Sequence, residues 1–128
     1  MSFSFGARSL KRLVGVHPDL VRVMKRAIAC STMDFAVIEG MRTLAKQKEY
    51  MAAGATRTMN SRHLTGHAVD IAPYVGGTIR WDWPLYHELA KIIKKAAADE
   101  QVPITWGGDW VSFRDGPHFE LKHKAYPR

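Results

Sequence analysis

Cysteine, acidic side chains and long apolar runs are all scarce in this chain, and each shortage rules something out. Cys30 is the single cysteine in 128 residues, so no internal disulfide is available. It lies in an apolar helical stretch with no histidine set beside it, which reads as a core residue and not as a nucleophile. No segment approaches the roughly 20 apolar residues that span a bilayer. Met1 to Arg8 contains no apolar run after a basic start. Stable membrane insertion and a secretory leader are therefore both unexpected, and the protein should stay in the cytoplasm where it is made until another agent lets it out. Internal repeats and low-complexity stretches are lacking too, and 128 residues can bury one core but hardly two.

Acidic groups number 12 against 19 lysines and arginines, a formal charge of +7. An excess of this sign draws a protein toward polyanions, whether nucleic acid, anionic lipid or cell-wall polymer. The basic residues are spread along the chain, and Lys11-Arg12, Lys25-Arg26 and Lys94-Lys95 read as solvated helix faces. Neither a zinc finger nor an aromatic-rich strand pair accompanies them, so a specific nucleic-acid partner is not expected.

Apolar spacing predicts a short helix over Ser9 to Val14. A second opens at His17-Pro18-Asp19, with proline in the first turn, Asp19 near the positive end and His17 as a helix-start residue. Its Leu20, Met24, Ala27 and Ile28 face the core. Phe35 to Ile38 reads as a buried strand ending at Glu39-Gly40, followed by a helix from about Arg42 to Ala53. Asn60-Ser61 to Asp70 runs from loop into strand, and Gly76-Gly77 turns into a partner strand, Thr78 to Trp81. Asp82 would cap the longest helix, Trp83 to about Glu100, whose stripe is Leu85, Leu89, Ile92, Ile93 and Ala96, with His87 on the solvated side. Ile104 to Trp106 and Phe119 to Leu121 complete a small sheet. The irregular order predicts an α+β fold, a mostly antiparallel sheet with helices packed on one face and a cleft on the other.

Two segments carry the chemistry, Ser61-Arg-His-Leu-Thr-Gly-His-Ala-Val-Asp70 and Asp115-Gly-Pro-His-Phe-Glu120. Thr65-Gly66 breaks any helix, and Ala68, Val69, Ile71 and Ala72 form a strand with Asp70 in its middle. A carboxylate among apolar neighbours needs a cation, a metal or hydrogen bonds, and His63 lies a short loop upstream. Asp115 and His118 flank the Gly116-Pro117 turn, which can aim both into one pocket. Each residue alone has an ordinary surface or ion-pair reading. Together, His63, Asp70 and His118 suit one zinc ion with its fourth position open to water, and Asp115 stands beside them as general base. His67 is expected to line the cleft, since a fourth protein ligand would close the site. His123 is expected to be an exposed tail residue, and Glu120 either a partner of His118 or a surface group.

The pattern Ser-x-His-x-x-Gly-x-Ala-x-Asp followed by Asp-x-x-His resembles the zinc peptidases that include D-Ala-D-Ala carboxypeptidases, phage L-alanyl-D-glutamate endopeptidases and the hedgehog signalling domain. Phe3-Ser-Phe-Gly6, Ser9-Leu-Lys-Arg-Leu13, Val16-His-Pro-Asp-Leu20, Glu39-Gly-Met-Arg-Thr43 with Gln47, and Trp106-Gly-Gly-Asp-Trp110 are similar to the phage endopeptidase branch, so nearly the whole chain is covered. The resemblance implies His63, Asp70 and His118 as zinc ligands, Asp115 as the catalytic carboxylate, and Arg42, Gln47 and Ser61 near the substrate. Arg42 could serve a substrate carboxylate or the scissile carbonyl. Trp106 and Trp110 are either core or a wall against the substrate, and Trp106 is taken as the substrate contact.

It further implies one catalytic domain over residues 1–128 with no separate wall-binding domain, holding one zinc per chain. Such an endolysin would act as a monomer on the L-alanyl-D-glutamate bond of the peptidoglycan stem peptide during host lysis, leaving the cytoplasm through holin lesions. A D-Ala-D-Ala carboxypeptidase and a non-catalytic zinc-binding domain of the hedgehog type are the alternatives.

Overall fold

A computed structural model describes residues 3–56, 59 and 61–127; Asn60, predicted to open the loop into the metal motif, lies outside them. Helix α1 covers Ala7–Arg12 and α2 Pro18–Cys30. Strand β1 is Phe35–Glu39, α3 Leu44–Ala52, β2 Ala68–Val75 and β3 Thr78–Ile79. Helix α4 is Trp83–Asp99, β4 Ile104–Trp106 and β5 His118–Leu121. The sheet order is β1-β2-β5-β4 with β3 paired to β2, and every pairing is antiparallel. The fold is therefore the expected α+β arrangement.

Helix α2 begins as predicted, with His17 Nδ1 accepting from the backbone N–H of Asp19 at 3.0 Å. Its Leu20, Val23, Met24, Ala27 and Ile28 pack with Tyr86, Leu89, Ala90, Ile93, Ala96 and Ala97 of α4. The same core takes in Val37, Val69, Ile71, Phe119 and Leu121 from the sheet. Burying side chains of this size stabilises the fold by roughly 1.5–3 kcal/mol each. Side chains alternate along a strand, so the residues between these, Asp70, His118 and Glu120, are turned to the opposite face.

Several local expectations shift. Cys30 is exposed, because it sits at the margin of the α2 stripe in the last turn, where Ser31 takes the buried position. Helix α3 starts two residues after Arg42, capped by Thr43 Oγ1, which accepts from Lys46 N at 3.1 Å. The strand after Gly77 stops at Ile79, and the Asp82 carboxylate pairs with Arg80 instead of capping α4. Leu85 and Ile92 are only half-buried, and Tyr86, Ala90 and Ala97 fill the helix interface instead.

Candidate active site

The β2–β5 register places Asp70 opposite His118 and Ala68 opposite Glu120. On the other side of β2, the register shifts between Val37 and Glu39, so that Glu39 rather than Ile38 stands opposite Asp70. This bulge turns both Ile38 and Glu39 to the cleft. Glu39, Asp70 and His118 thus form one row across three strands.

His63 joins the row from a turn of 3-10 helix, Arg62–Thr65, opened by Ser61, whose Oγ accepts from His63 N at 3.2 Å. Gly66 ends the turn at φ +76°, where a Cβ would stand 2.4 Å from the Gly15 carbonyl oxygen. The chain then enters β2, as the break at Thr65-Gly66 predicted.

Hydrogen bonds set the orientation of both imidazoles. His63 Nδ1 lies 2.8 Å from the Gly40 carbonyl oxygen, which can only accept, so Nδ1 carries the proton and Nε2 offers its lone pair to the cleft, 3.1 Å from Asp70 Oδ1. His118 Nε2 donates to Glu120 Oε1 at 2.8 Å, which leaves Nδ1 facing Asp70 Oδ1 at 3.3 Å. The ligand atoms of His63, Asp70 and His118 all lie within 4.8 Å of one another. Two imidazole nitrogens oriented by other acceptors, with one carboxylate, are a donor set that fits a zinc ion.

Without a metal, the charged groups of the site act on one another. Burial opposes ionisation of Asp70, but the facing His63 and His118 outweigh it and hold the carboxyl well below its ordinary range. Burial likewise disfavours charge on His118, yet hydrogen bonds to Asp70 and Glu120 push its pKa up to about 9. For Asp115 the balance runs the other way: burial and then the charge of Asp70 outweigh the pull of His118, His63 and Arg42 and raise its pKa, as suits a group that takes and returns a proton.

Asp115 reaches the cleft because its turn folds back onto Gly107, whose carbonyl accepts from Asp115 N at 3.0 Å. A Cβ at Gly107 would stand 2.4 Å from the Asp115 carbonyl oxygen and 3.1 Å from the Cβ of His118. Gly107 is what lets the turn lie this close, while Gly108 leaves room for the Trp106 ring.

Arg42 enters from the connection between β1 and α3, its backbone N–H bonded to the His63 carbonyl at 2.9 Å. Its Nε and Nη2 both reach Glu39 Oε1, its Nη1 donates to Gln47 Oε1 at 2.7 Å and to Ser61 Oγ at 3.4 Å, and Nη2 lies 3.8 Å from Asp70 Oδ2. The Tyr50 ring lies 4.6 Å from the guanidinium carbon, and its hydroxyl donates to Glu39 Oε2 at 2.9 Å. Gln47 is fully buried, outside the cleft lining, and meets Arg42.

The cleft encloses about 500 Å³ and is bordered by Ser61, the His63, Asp70 and His118 group, Asp115, Arg42 and Tyr50. Trp106 lies elsewhere. It pairs with Phe119 across β4 and β5, so it shares the helix-covered face, is 3% exposed and donates from Nε1 to the Gly116 carbonyl at 2.7 Å. Trp110 and Phe113 border the cleft in its place. His67 is outside the lining as well, its ring 5.7 Å from that of His17 and its Nδ1 2.6 Å from Thr65 Oγ1. His123 does border the cleft, with Nε2 3.4 Å from Glu120 Oε2, although its side chain is largely exposed. Glu39 and Tyr50 were not singled out from sequence; an acid three residues before Arg42 was the available signal.

Residues 1–123 match the family described as phage L-alanyl-D-glutamate peptidase. The chain belongs to this family. It is 35% identical over 130 residues to the L-alanyl-D-glutamate peptidase of Escherichia phage T5, covering 98% of this chain and 94% of that protein. The peptidoglycan L-alanyl-D-glutamate endopeptidase CwlK of Bacillus subtilis is 30% identical, over 83% of this chain and 73% of its own length. Among solved structures, the L-Ala D-Glu endopeptidase ChiX of Serratia marcescens superposes with a TM-score of 0.93 at 44% identity, covering 99% of this chain and 96% of that one.

Proposed function

We propose that the protein is a zinc-dependent endolysin that hydrolyses the L-alanyl-D-glutamate bond of the peptidoglycan stem peptide. The observation that carries this reading is the convergence of His63 Nε2, His118 Nδ1 and the Asp70 carboxylate beside a carboxyl of raised pKa, in a family member. Those three residues would hold one zinc per chain. When bound, zinc supplies Lewis acidity to the water and to the scissile carbonyl.

Asp115 takes the proton of the attacking water and passes it to the departing amine of D-glutamate. Arg42 borders the cleft in a fixed position, with Nη2 on the side of Asp70. Its charge is already matched by Glu39, which suits it to the oxygen of a polarised carbonyl better than to a second carboxylate. Glu39, Gln47 and Tyr50 hold Arg42 in place, Ser61 fixes the turn that carries His63, and Glu120 orients His118.

The described residues share one hydrophobic core, which supports a single catalytic unit. Among them no helix is long and apolar enough to cross a membrane. As for a phage endolysin, release to the wall through lesions made by a holin is part of the proposal.

Digestion of purified peptidoglycan tests the reading. An L-alanyl-D-glutamate endopeptidase exposes new glutamate amino termini and leaves L-alanine on the glycan. Free D-alanine as the main product would make the protein a carboxypeptidase, and no product at all would make it a binding protein.

A further inference from the structure

The two ends of the cleft differ in chemistry. Strand β5 runs from His118 toward Leu121, and the polar pair Glu120 and His123 lies at its far end. Because β4 is antiparallel to β5, the chain after Trp106 returns to the near end, where Trp110 and Phe113 border the cleft beside Asp115. The Trp110 ring lies 5.1 Å from that of His118, and Val111 is fully exposed.

Phe113 is 44% exposed and adopts φ +52°. A bulky side chain in this left-handed region is strained, and it persists only where neighbours impose it. Arg114 does so: its Nε donates to the Gly108 carbonyl at 2.9 Å, and its guanidinium carbon sits 4.5 Å from the centre of the Trp83 ring. A glycine at 113 would relieve the strain, so the fold bears a cost whose return is an aromatic ring at the cleft.

We propose that Trp110 and Phe113 form the subsite for the sugar side of the substrate, the N-acetylmuramoyl unit that carries the alanine. This rests on the L-alanyl-D-glutamate reading. One alanine and one lactyl group separate the scissile carbonyl from the sugar ring, so at about 3.5 Å per residue-sized unit the ring begins about 7 Å away and meets a wall of the cleft. The only carboxyl of this unit is consumed in its bond to alanine, which leaves an uncharged body with a lactyl methyl and a face of C–H groups suited to aromatic rings. Beyond the scissile bond, D-glutamate and the residues after it bear free carboxylates, which two aromatic rings cannot compensate.

The test titrates the zinc-loaded full chain with N-acetylmuramoyl-L-alanine, which contains the sugar side and no scissile bond. In parallel, kcat/KM is measured on a muramoyl stem peptide and on the same peptide without its sugar. The protein should bind the fragment and prefer the sugar-bearing peptide by about tenfold, the worth of one aromatic contact. Phe113→Ala and Phe113→Gly should each weaken fragment binding and bring the preference close to one. Phe113→Gly should also melt at a higher temperature than the parent, which separates loss of the ring from loss of the fold. Undiminished fragment binding by both variants, with both peptides cut, would overturn the subsite and leave the bond assignment standing. Fragment binding that the variants lose, with neither peptide cut, would support the subsite and overturn the bond assignment.

Discussion

Asp70 and His118 stand directly opposite each other on β2 and β5, with Oδ1 and Nδ1 3.3 Å apart. The neighbouring rung, Val69 and Phe119, points into the core, where both are fully buried. A slip of one residue would exchange the two faces, setting a carboxylate among apolar side chains and a valine in the cleft. The burial energy of the core therefore also holds the register of the candidate metal ligands.

Removing Glu120 should loosen His118 without unfolding the sheet. Glu120→Ala should weaken zinc affinity by about 10- to 100-fold, the usual effect of losing a ligand's orienting partner. Glu120→Gln, whose amide oxygen still accepts from Nε2–H, should lose less. Competition against a chromophoric chelator measures both, and unchanged affinity in the alanine variant would deny Glu120 this role.

Asp115→Asn should retain zinc and lower kcat by about 10²- to 10⁴-fold, the share of general acid-base catalysis. Gly107→Ala attacks the same group through the backbone. The added Cβ meets the Asp115 carbonyl at 2.4 Å, so kcat and thermal stability should fall together although no ionisable group is changed. Full activity in Asp115→Asn would make Glu120 the next base to test.

A stabilising change is available far from the cleft. Gln101 follows α4 at φ +59°, with its N–H bonded to the Ala98 carbonyl at 3.1 Å and the Val102 N–H bonded to Ala97 at 2.9 Å. Glycine is the natural occupant of such a helix end. Gln101→Gly should raise stability by roughly 0.5–1 kcal/mol, the relief of left-handed strain less the added freedom of the unfolded chain. Urea midpoints at constant slope would show it.

The tail sets a pH dependence. Tyr126 Oη donates to Asp19 Oδ2 at 2.6 Å and Arg22 Nη1 donates to Oδ1 at 2.7 Å. These bonds hold the Asp19 carboxyl below its ordinary value of 3.8. A pKa depressed by folding means stability that is present above the unfolded value and lost as pH falls through the folded one. Tyr126→Phe should be the less stable protein near neutrality and should lose less between about pH 5 and pH 2. Parallel urea-midpoint curves for the two proteins would show that the bond contributes nothing.

The elements legible in the sequence were those whose signal is local. Leu20, Met24, Ala27 and Ile28 declared the buried face of α2 through helical spacing, and Pro18 with Asp19 declared its start. Asp70 flanked by apolar residues announced a buried carboxylate in need of partners, and the two motifs supplied His63 and His118 as candidates without any knowledge of the sheet.

Facing, by contrast, belongs to the tertiary structure. Trp106 and Trp110 are equivalent in sequence, two tryptophans around a glycine pair, and only the pairing of Trp106 with Phe119 turns one inward and leaves the other at the cleft. His67 turns toward His17 and away from the cleft, while His123, exposed as expected, also borders the cleft because the tail returns past Glu120. Glu39 stands opposite Asp70 through a bulge that no periodicity announces, and the Tyr50 hydroxyl returns from α3 to Glu39. Residue type and spacing carry the chemistry a side chain is capable of. Strand parity, a bulge and the return of distant segments decide which side chains meet, since these depend on contacts between residues far apart in the chain.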